Sequence, residues 1–431
     1  MNRTYICRLL NSEMVVATGC TEPAAVALAA ATARQYMKEE ILEIQIKASA
    51  NMIKNVMAAG IPGADVTGIE YAAALGATGG DVSRQLQVVD SASKEAVEEA
   101  CRLVRTGRVS LTCEEVCDRL FVSVKLIGPE NRYACVDLAE SHTNIIRIDQ
   151  NGKVVFEKEG ISTGQEAEME LEDLSITVIY EFVETLDREN DDLHMIDYAI
   201  KINTGIMEEG RIGDYGLNIG RHIRKAKERG YYSDDLVTNA VEDAACGVDA
   251  RMAGANVPVV TNSGSGNQGI TTTIPVISAG KHLRVSEDRI FRGVTLSNLI
   301  AIYIHSGFGR LSGLCGATIA ATGAACGLVY LMGGGVQNIG YAINNMLGDI
   351  SGMVCDGAKA DCSLKVSTCL QAAFQCAFLA MDDVVVGPTD GIVEENPAHT
   401  VCNFNRLGNE GSVEMDRIVL DILMNKKEQV R

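Results

Sequence analysis

The pattern of apolar and polar positions divides the chain into two stretches of different character. In the first, residues 41–48 read as a strand leading into a helix that ends near residue 60. Four further runs, Leu120–Ile127, Tyr133–Leu138, Ile145–Ile148 and Val154–Lys158, alternate apolar with polar residues and are separated by the turn signals G-P-E-N and Q-N-G. Helical segments accompany them. Pro23 suits a first helical turn, and Ala24 to Lys38 is rich in strong helix formers. Ala92–Thr106 places Val97, Cys101 and Val104 on one face, and Cys113 and Cys117, four apart, read as a second shared helical face in the core. From Leu171 onward an acidic stretch gives way to helices, among them Asp234–Ala255 and Ser367–Met381, where Cys369 and Cys376 share a buried face. The predicted class is α+β. A β-rich, mixed N-terminal part spans residues 1–190, and a mostly helical C-terminal catalytic part spans 191–431, with the boundary near Asp187–Asp192. No repeat of 20–50 residues is present.

One segment stands apart. From Leu311 to Leu347 there is no charged residue, a run longer than a membrane span requires. It is rich in Ala, Gly and Thr, however, and is broken by Gly333–Gly335, Gln337, Asn338, Asn344 and Asn345. A helix buried in a folded domain is therefore expected, with Gly323 and Gly327 permitting close helix contact. Beyond it the sequence turns abruptly to Asp349, Asp356, Lys359 and Asp361, interleaved with Cys355 and Cys362. A single cysteine is ordinarily a buried small residue. Two thiols flanking a charged, glycine-containing segment do not suit core filling. Together with Cys315, which lies within the uncharged run, they suit a soft metal centre. There is no C-x-x-C and no H-x-x-x-H, so zinc-finger-like sites lack support. Lys359 reads as a solvated loop charge, with a Schiff-base role as its alternative.

Charge narrows the partners. The 38 Lys and Arg against 57 Asp and Glu leave −19, which repels nucleic acid and acidic membrane surfaces. Fourteen cysteines in 431 residues are too sparse for a secreted disulfide scaffold, and M-N-R-T-Y-I-C-R-L-L-N-S-E carries no apolar signal run. The expected location is a reducing cytoplasm. Cys20 precedes a helix start, where the partial positive charge favours a thiolate and lowers its pKa, as a base or nucleophile requires. Gly264, Gly266 and Gly269 spell G-x-G-x-x-G, but three threonines and Pro275 follow. That is a poor helix start, and a dinucleotide site is not expected. Asn262, Ser263, Ser265, Asn267 and Gln268 read instead as a turn whose amides and hydroxyls could cradle a carboxylate. Ser141, His142 and Thr143, at a strand edge, offer a similar set to a small anion.

Four segments taken together, G-C-T-E-P-A-A, T-N-S-G-S-G-N-Q-G, L-C-G-A-T-I-A-A-T-G-A-A-C-G and C-D-G-A-K-A-D-C, resemble the L-cysteine desulfidase family, a relative of the iron–sulfur L-serine dehydratases. The resemblance spans nearly the whole chain. It implies a 4Fe–4S cluster held by Cys315, Cys355 and Cys362, with Cys20 as catalytic base. The implied activity is a carbon–sulfur lyase that converts L-cysteine to pyruvate, ammonia and hydrogen sulfide. A-E-S-H-T-N resembles, more loosely, the Ser-His-Thr segment of serine dehydratases. The C-D-G-A-K-A-D-C spacing is shorter than the cysteine pair of those enzymes, which favours cysteine over serine as substrate. L-serine dehydration with the same cluster, and a metal-binding or sensor protein without turnover, are the alternatives. The implied partner is a small amino acid, and a homodimer is one expected assembly.

Overall fold

The computed structural model describes residues 2–62, 64–114, 117, 119–158, 174–308 and 311–430. The chain opens with α1 (Arg3–Glu13), β1 (Val16–Thr18) and α2 (Thr21–Tyr36), followed by β2 (Glu43–Ser49), α3 (Ala50–Val56), β3 (Gly60–Ile61), β4 (Ala64–Thr67), α4 (Ile69–Gly79) and α5 (Lys94–Arg105). The alternating runs follow as β5 (Val109–Glu114), β6 (Phe121–Ile127), β7 (Tyr133–Ala139), β8 (Ile145–Gln150) and β9 (Lys153–Glu157). They join β2 in a six-stranded sheet of order β5-β2-β6-β7-β8-β9, in which only the β2–β5 pair is parallel. Alternation does here what it predicts. Val122, Val124 and Leu126 of β6, with Ala134, Val136 and Leu138 of β7, form the buried face, and the alanine-rich α2 packs on it beside α4.

The helical part consists of α6 (Ile176–Glu184), α7 (His194–Ile212), α8 (Ile219–Glu228), α9 (Leu236–Met252), the short β10 (Pro258–Val260), α10 (Gly266–His282), α11 (Glu287–Ser306), α12 (Gly316–Met332), α13 (Val336–Asp349), α14 (Cys362–Met381), α15 (Pro397–Asn409) and α16 (Val413–Val430). The uncharged stretch becomes α12 and α13. Helix α12 is buried from Ala317 to Leu331 among α10, α11, α13 and α14. Its Gly323 and Gly327 lie against Ser297 and Gly293 of α11, as close helix contact requires. Helix α14 is long and apolar enough to cross a membrane by length and composition. It packs on α9, α12 and α13 through Val366, Leu370, Phe374 and Ala377.

Two expectations are corrected. Cys113 lies on the edge strand β5, opposite Ala48, and both Cys113 and Cys117 are exposed. Spacing by four over so short a run carried no helical information, and pairing with β2 decided the conformation. Helix α10 runs through Thr271–Thr273 and Pro275 without a break. Burial among α7, α9, α11 and α12 outweighs the local propensity there. The strand that precedes it, β10, pairs antiparallel with β1. The parallel βαβ context of a dinucleotide loop is therefore missing.

The two hydrophobic cores do not follow chain order. Ile6, Leu10 and Met14, in and just after α1, pack into the helical core, and the chain crosses to the sheet only with α2. From the far end, Leu420 of α16 returns to the sheet core. The crossing is locked by an ion pair of 2.6 Å between Lys54 of α3 and Asp416 of α16, with side chains 1% and 9% exposed. Asp416→Ala strands a buried ammonium and is expected to cost about 3–5 kcal/mol, read as a lower denaturant midpoint. Lys54→Met combined with Asp416→Leu should recover most of that loss, because a packed apolar pair in place of a buried ion pair is nearly neutral. An unchanged midpoint in the single variant would mean that Lys54 finds another partner or water.

Candidate active site

Four helices begin at one cavity. Cys20 is the N-cap of α2, Ser265 of α10 and Cys315 of α12, and Cys362 is the first residue of α14. All four line a cavity of about 100 Å³, together with Cys355. That volume is far too small for a nucleotide and suits a compact group or a small metabolite. The first N–H groups of a helix lack intrahelical acceptors and carry partial positive charge, so these starts favour anions and thiolates.

The thiols are set by backbone pairing. Leu314 and Val354 form an isolated antiparallel bridge, in which Cys315 N–H donates to Met353 O and Cys355 N–H to Gly313 O, each at 2.8 Å. The loop from Cys355 to Cys362 is stapled by charges. Asp356 meets Lys359 at 2.5 Å and also pairs with Lys365, Lys359 lies 3.2 Å from Asp361, and Lys365 Nζ donates to Val354 O at 2.9 Å. Burial raises the proton affinity of Asp356, but the two lysines overcome it and bring its pKa down to about 2. Lys359 is thus a loop staple. Gly357 sits at φ +102°, and a Cβ there would come within 2.3 Å of Lys54 O, so the thiol loop rests on α3. Burial pushes the thiols of Cys315 and Cys362 up, the latter to about 11, and the neighbouring Cys355 adds to both. Among the described residues no three His, Cys, Asp or Glu side chains are grouped closely enough to hold a single metal ion.

Cys20 corrects the expectation of a lowered thiol pKa. It is 1% exposed, and burial pushes its thiol up, with Arg251 pulling down and Glu22 adding to the rise. The desolvation cost of a thiolate at this depth exceeds what the neighbouring charge returns. Both flanks of Cys20 are tied to the helical part: Arg251 Nε donates to Gly19 O at 3.1 Å, and Thr21 Oγ1 donates to Gly264 O at 2.8 Å.

The structure divides the remaining sequence-derived residues. Ser265, Asn267 and Gln268 line the cavity. Asn262 and Ser263 lie behind it, in a buried amide network in which Asn262 Nδ2 donates to Asn298 Oδ1 at 2.9 Å and Ser263 Oγ to Asn262 Oδ1 at 3.0 Å. Ser141, His142 and Thr143 form the β7–β8 turn and are not among the cavity-lining residues. Three lining residues had drawn no attention in the sequence: Glu22 and Asn55 from the sheet part and Arg251 from α9. The available signal was an arginine, two residues from Asp249, in the small-residue run A-A-C-G-V-D-A-R-M-A-G. Gly266 makes room for it, since a Cβ there would lie 2.3 Å from Arg251 Nε.

Comparison with known proteins agrees over the whole length. The family profile described as serine dehydratase alpha chain matches residues 83–421, a segment that includes Cys315, Cys355 and Cys362 and leaves Cys20 outside. A UPF0597 protein of Oleidesulfovibrio alaskensis is 41% identical over 97% of this chain and 97% of its own. One from Actinobacillus pleuropneumoniae serotype 3 is 38% identical over 98% and 97%. The UPF0597 protein YhaM of Escherichia coli O127:H6 is 37% identical over 97% and 96%.

The seating of the thiol loop on α3 can be tested directly. Gly357→Ala combines a left-handed backbone with a clash against Lys54 O and is expected to cost about 1–3 kcal/mol of local stability. Alkylation of Cys355 and Cys362, followed by peptide mass spectrometry, should become faster in the variant. Unchanged alkylation would mean that the loop adjusts without leaving α3.

Proposed function

The chain belongs to the serine dehydratase alpha-chain family, and on that premise we propose that it is a 4Fe–4S lyase splitting L-cysteine into pyruvate, ammonia and hydrogen sulfide. One observation carries the reading: Cys20 shares a small cavity with Cys315, Cys355 and Cys362. The donor set fits the cluster. Three free thiols, in a chain whose described cysteines form no disulfide, line a cavity bounded by Gly316, Ala317, Gly357 and Ala358. A four-iron cluster takes each thiolate on a different iron, so its ligands surround a volume and need not converge on a point as those of a lone zinc ion do. When bound with three protein thiolates, such a cluster supplies an open iron that acts as a Lewis acid.

The chain's own residues supply the rest. Cys20 Sγ, as thiolate, takes the Cα proton of L-cysteine. Burial raises the proton affinity of this sulfur, which suits it to hold the Cα proton once taken, and the neighbouring Arg251 charge offsets part of the cost of the thiolate. Ser265 and Gln268 hold the substrate by hydrogen bonds from the start of α10, with Asn267 beside them in the cavity lining. Loss of the Cα proton and of the sulfide leaves aminoacrylate, which tautomerises to the imine and takes up one water to give pyruvate and ammonia. The family profile favours a second reading, L-serine dehydration, in which the β-hydroxyl leaves in place of the sulfide. The proposed setting is a reducing cytoplasm.

Anaerobic purification with parallel assays separates these readings. The protein is expected to hold about four irons per chain, as one 4Fe–4S cluster requires. Cys315→Ser, Cys355→Ser and Cys362→Ser should lose the iron, and Cys369→Ser and Cys376→Ser should keep it. Zinc at one per chain in place of iron sinks the proposal.

Cys20→Ser distinguishes base from ligand. It should keep the full iron content while sulfide release from L-cysteine falls by about 10²–10⁴-fold. Iron loss in this variant would make Cys20 a ligand and support a closed metal site without turnover. Pyruvate formed faster from L-serine than sulfide from L-cysteine selects the second reading.

A further inference from the structure

The cavity holds two opposite charges that do not satisfy each other. Arg251, 3% exposed, spends Nε on Gly19 O and Nη1 on Asn267 Oδ1 at 2.8 Å. Among the described residues its Nη2 has no acceptor and its guanidinium has no carboxylate partner. Glu22 accepts from Asn55 Nδ2 at 3.0 Å, while the Thr21 hydroxyl 3.1 Å from its other oxygen gives its one proton to Gly264 O, so lone pairs stay free on both oxygens, and among the described residues it meets no cation. Asn55 Oδ1 and Gln268 Oε1 are buried without hydrogen-bond partners, on side chains 7% and 4% exposed. Arg251, Glu22, Asn55 and Gln268 all line the one cavity.

A buried guanidinium and buried carbonyl oxygens left in this state are costly unless a ligand completes them, and the half-buried Glu22 carboxylate faces the same cavity. An inorganic anion would complete Arg251 and leave Glu22 and the amide oxygens unpaired, and a simple amine would do the reverse. A zwitterion completes both. Resting on the amino-acid lyase reading, we propose that Arg251 receives the substrate α-carboxylate on its Nη2 edge, while Glu22 and Asn55 Oδ1 receive the α-ammonium. Asn267 is then a positioning residue that holds the guanidinium through its own carbonyl oxygen. The two ends of the substrate are held by different cores, the carboxylate by α9 in the helical part and the ammonium by the start of α2 and the last turn of α3 on the sheet part. Specificity follows from this division. The clamp reads the α-amino-acid backbone and is indifferent to the β-substituent, which leaves discrimination between thiol and hydroxyl to the thiol-lined end of the cavity.

The test uses unreactive ligands, so that it does not depend on turnover. Calorimetric titration of the anaerobically purified protein with L-alanine, propionate and ethylamine should give L-alanine the tightest binding, by about ten- to hundredfold over either half-ligand, the usual worth of a hydrogen bond to a charged group. Glu22→Gln keeps the shape and an acceptor for Asn55. It should abolish most of the preference for L-alanine over propionate and leave the preference over ethylamine. Arg251→Gln should do the opposite, with Arg251→Lys recovering part of it. Melting temperature and iron content are measured on each variant, and Glu22→Gln carries the test if the arginine variants fail to fold. Equal binding of the three ligands by the native protein, or an unchanged L-alanine to propionate ratio in Glu22→Gln, overturns the clamp even where sulfide is released from L-cysteine. The expected ligand pattern without any sulfide or pyruvate release upholds the clamp and removes the lyase reading.

Discussion

The structure turns on the meeting of four helix N-termini around one small cavity. Each start brings backbone N–H groups with no acceptor inside its own helix, and burial denies them water. Such a concentration of partial positive charge is stable only beside negative or electron-rich groups. The sequence answers with sulfur at three of the four starts and a serine hydroxyl at the other. Close helix packing supports this gathering: Gly323 and Gly327 let the uncharged α12 lie directly against Ser297 and Gly293 of α11.

Rigidity is supplied a layer further out. The two-residue bridge between Leu314 and Val354 fixes the spacing of Cys315 and Cys355 through main-chain bonds. The Asp356, Lys359 and Lys365 links fix the loop that carries Cys355 toward Cys362. The amide network of Asn262, Ser263, Thr272 and Asn298 sets the turn before α10. Residues that look functional by composition can therefore act through shape: Asn262 orients the loop whose other members reach the cavity.

Much of this was legible in the sequence, for identifiable reasons. Strands β6 to β9 and the burial of α12 follow from alternation and from the absence of charge, both local signals. The thiols at 315, 355 and 362 stood out because charge surrounds two of them. Cys113 and Cys117 were misread because two residues four apart fit a helix and a loop equally well. Helix α10 was underrated because tertiary burial overrides a proline that local propensity treats as a stop. Glu22, Asn55 and Arg251 were not visible as a set, since nothing local relates residue 22 to residue 251. Only the crossing of the chain between two cores brings them together.

That crossing also sets an order of manufacture. Cys20 and α3 leave the ribosome before the thiol loop, and the thiol loop before α16. Yet Lys54 receives its counter-charge from Asp416, 362 residues downstream. A contact of such sequence separation carries a large loop-closure cost. The floor under Gly357 is therefore complete only once α16 has reached α3, because until then Lys54 lacks the counter-charge it has in the folded protein. The thiol-lined cavity thus depends for its floor on two segments that meet only across the two cores.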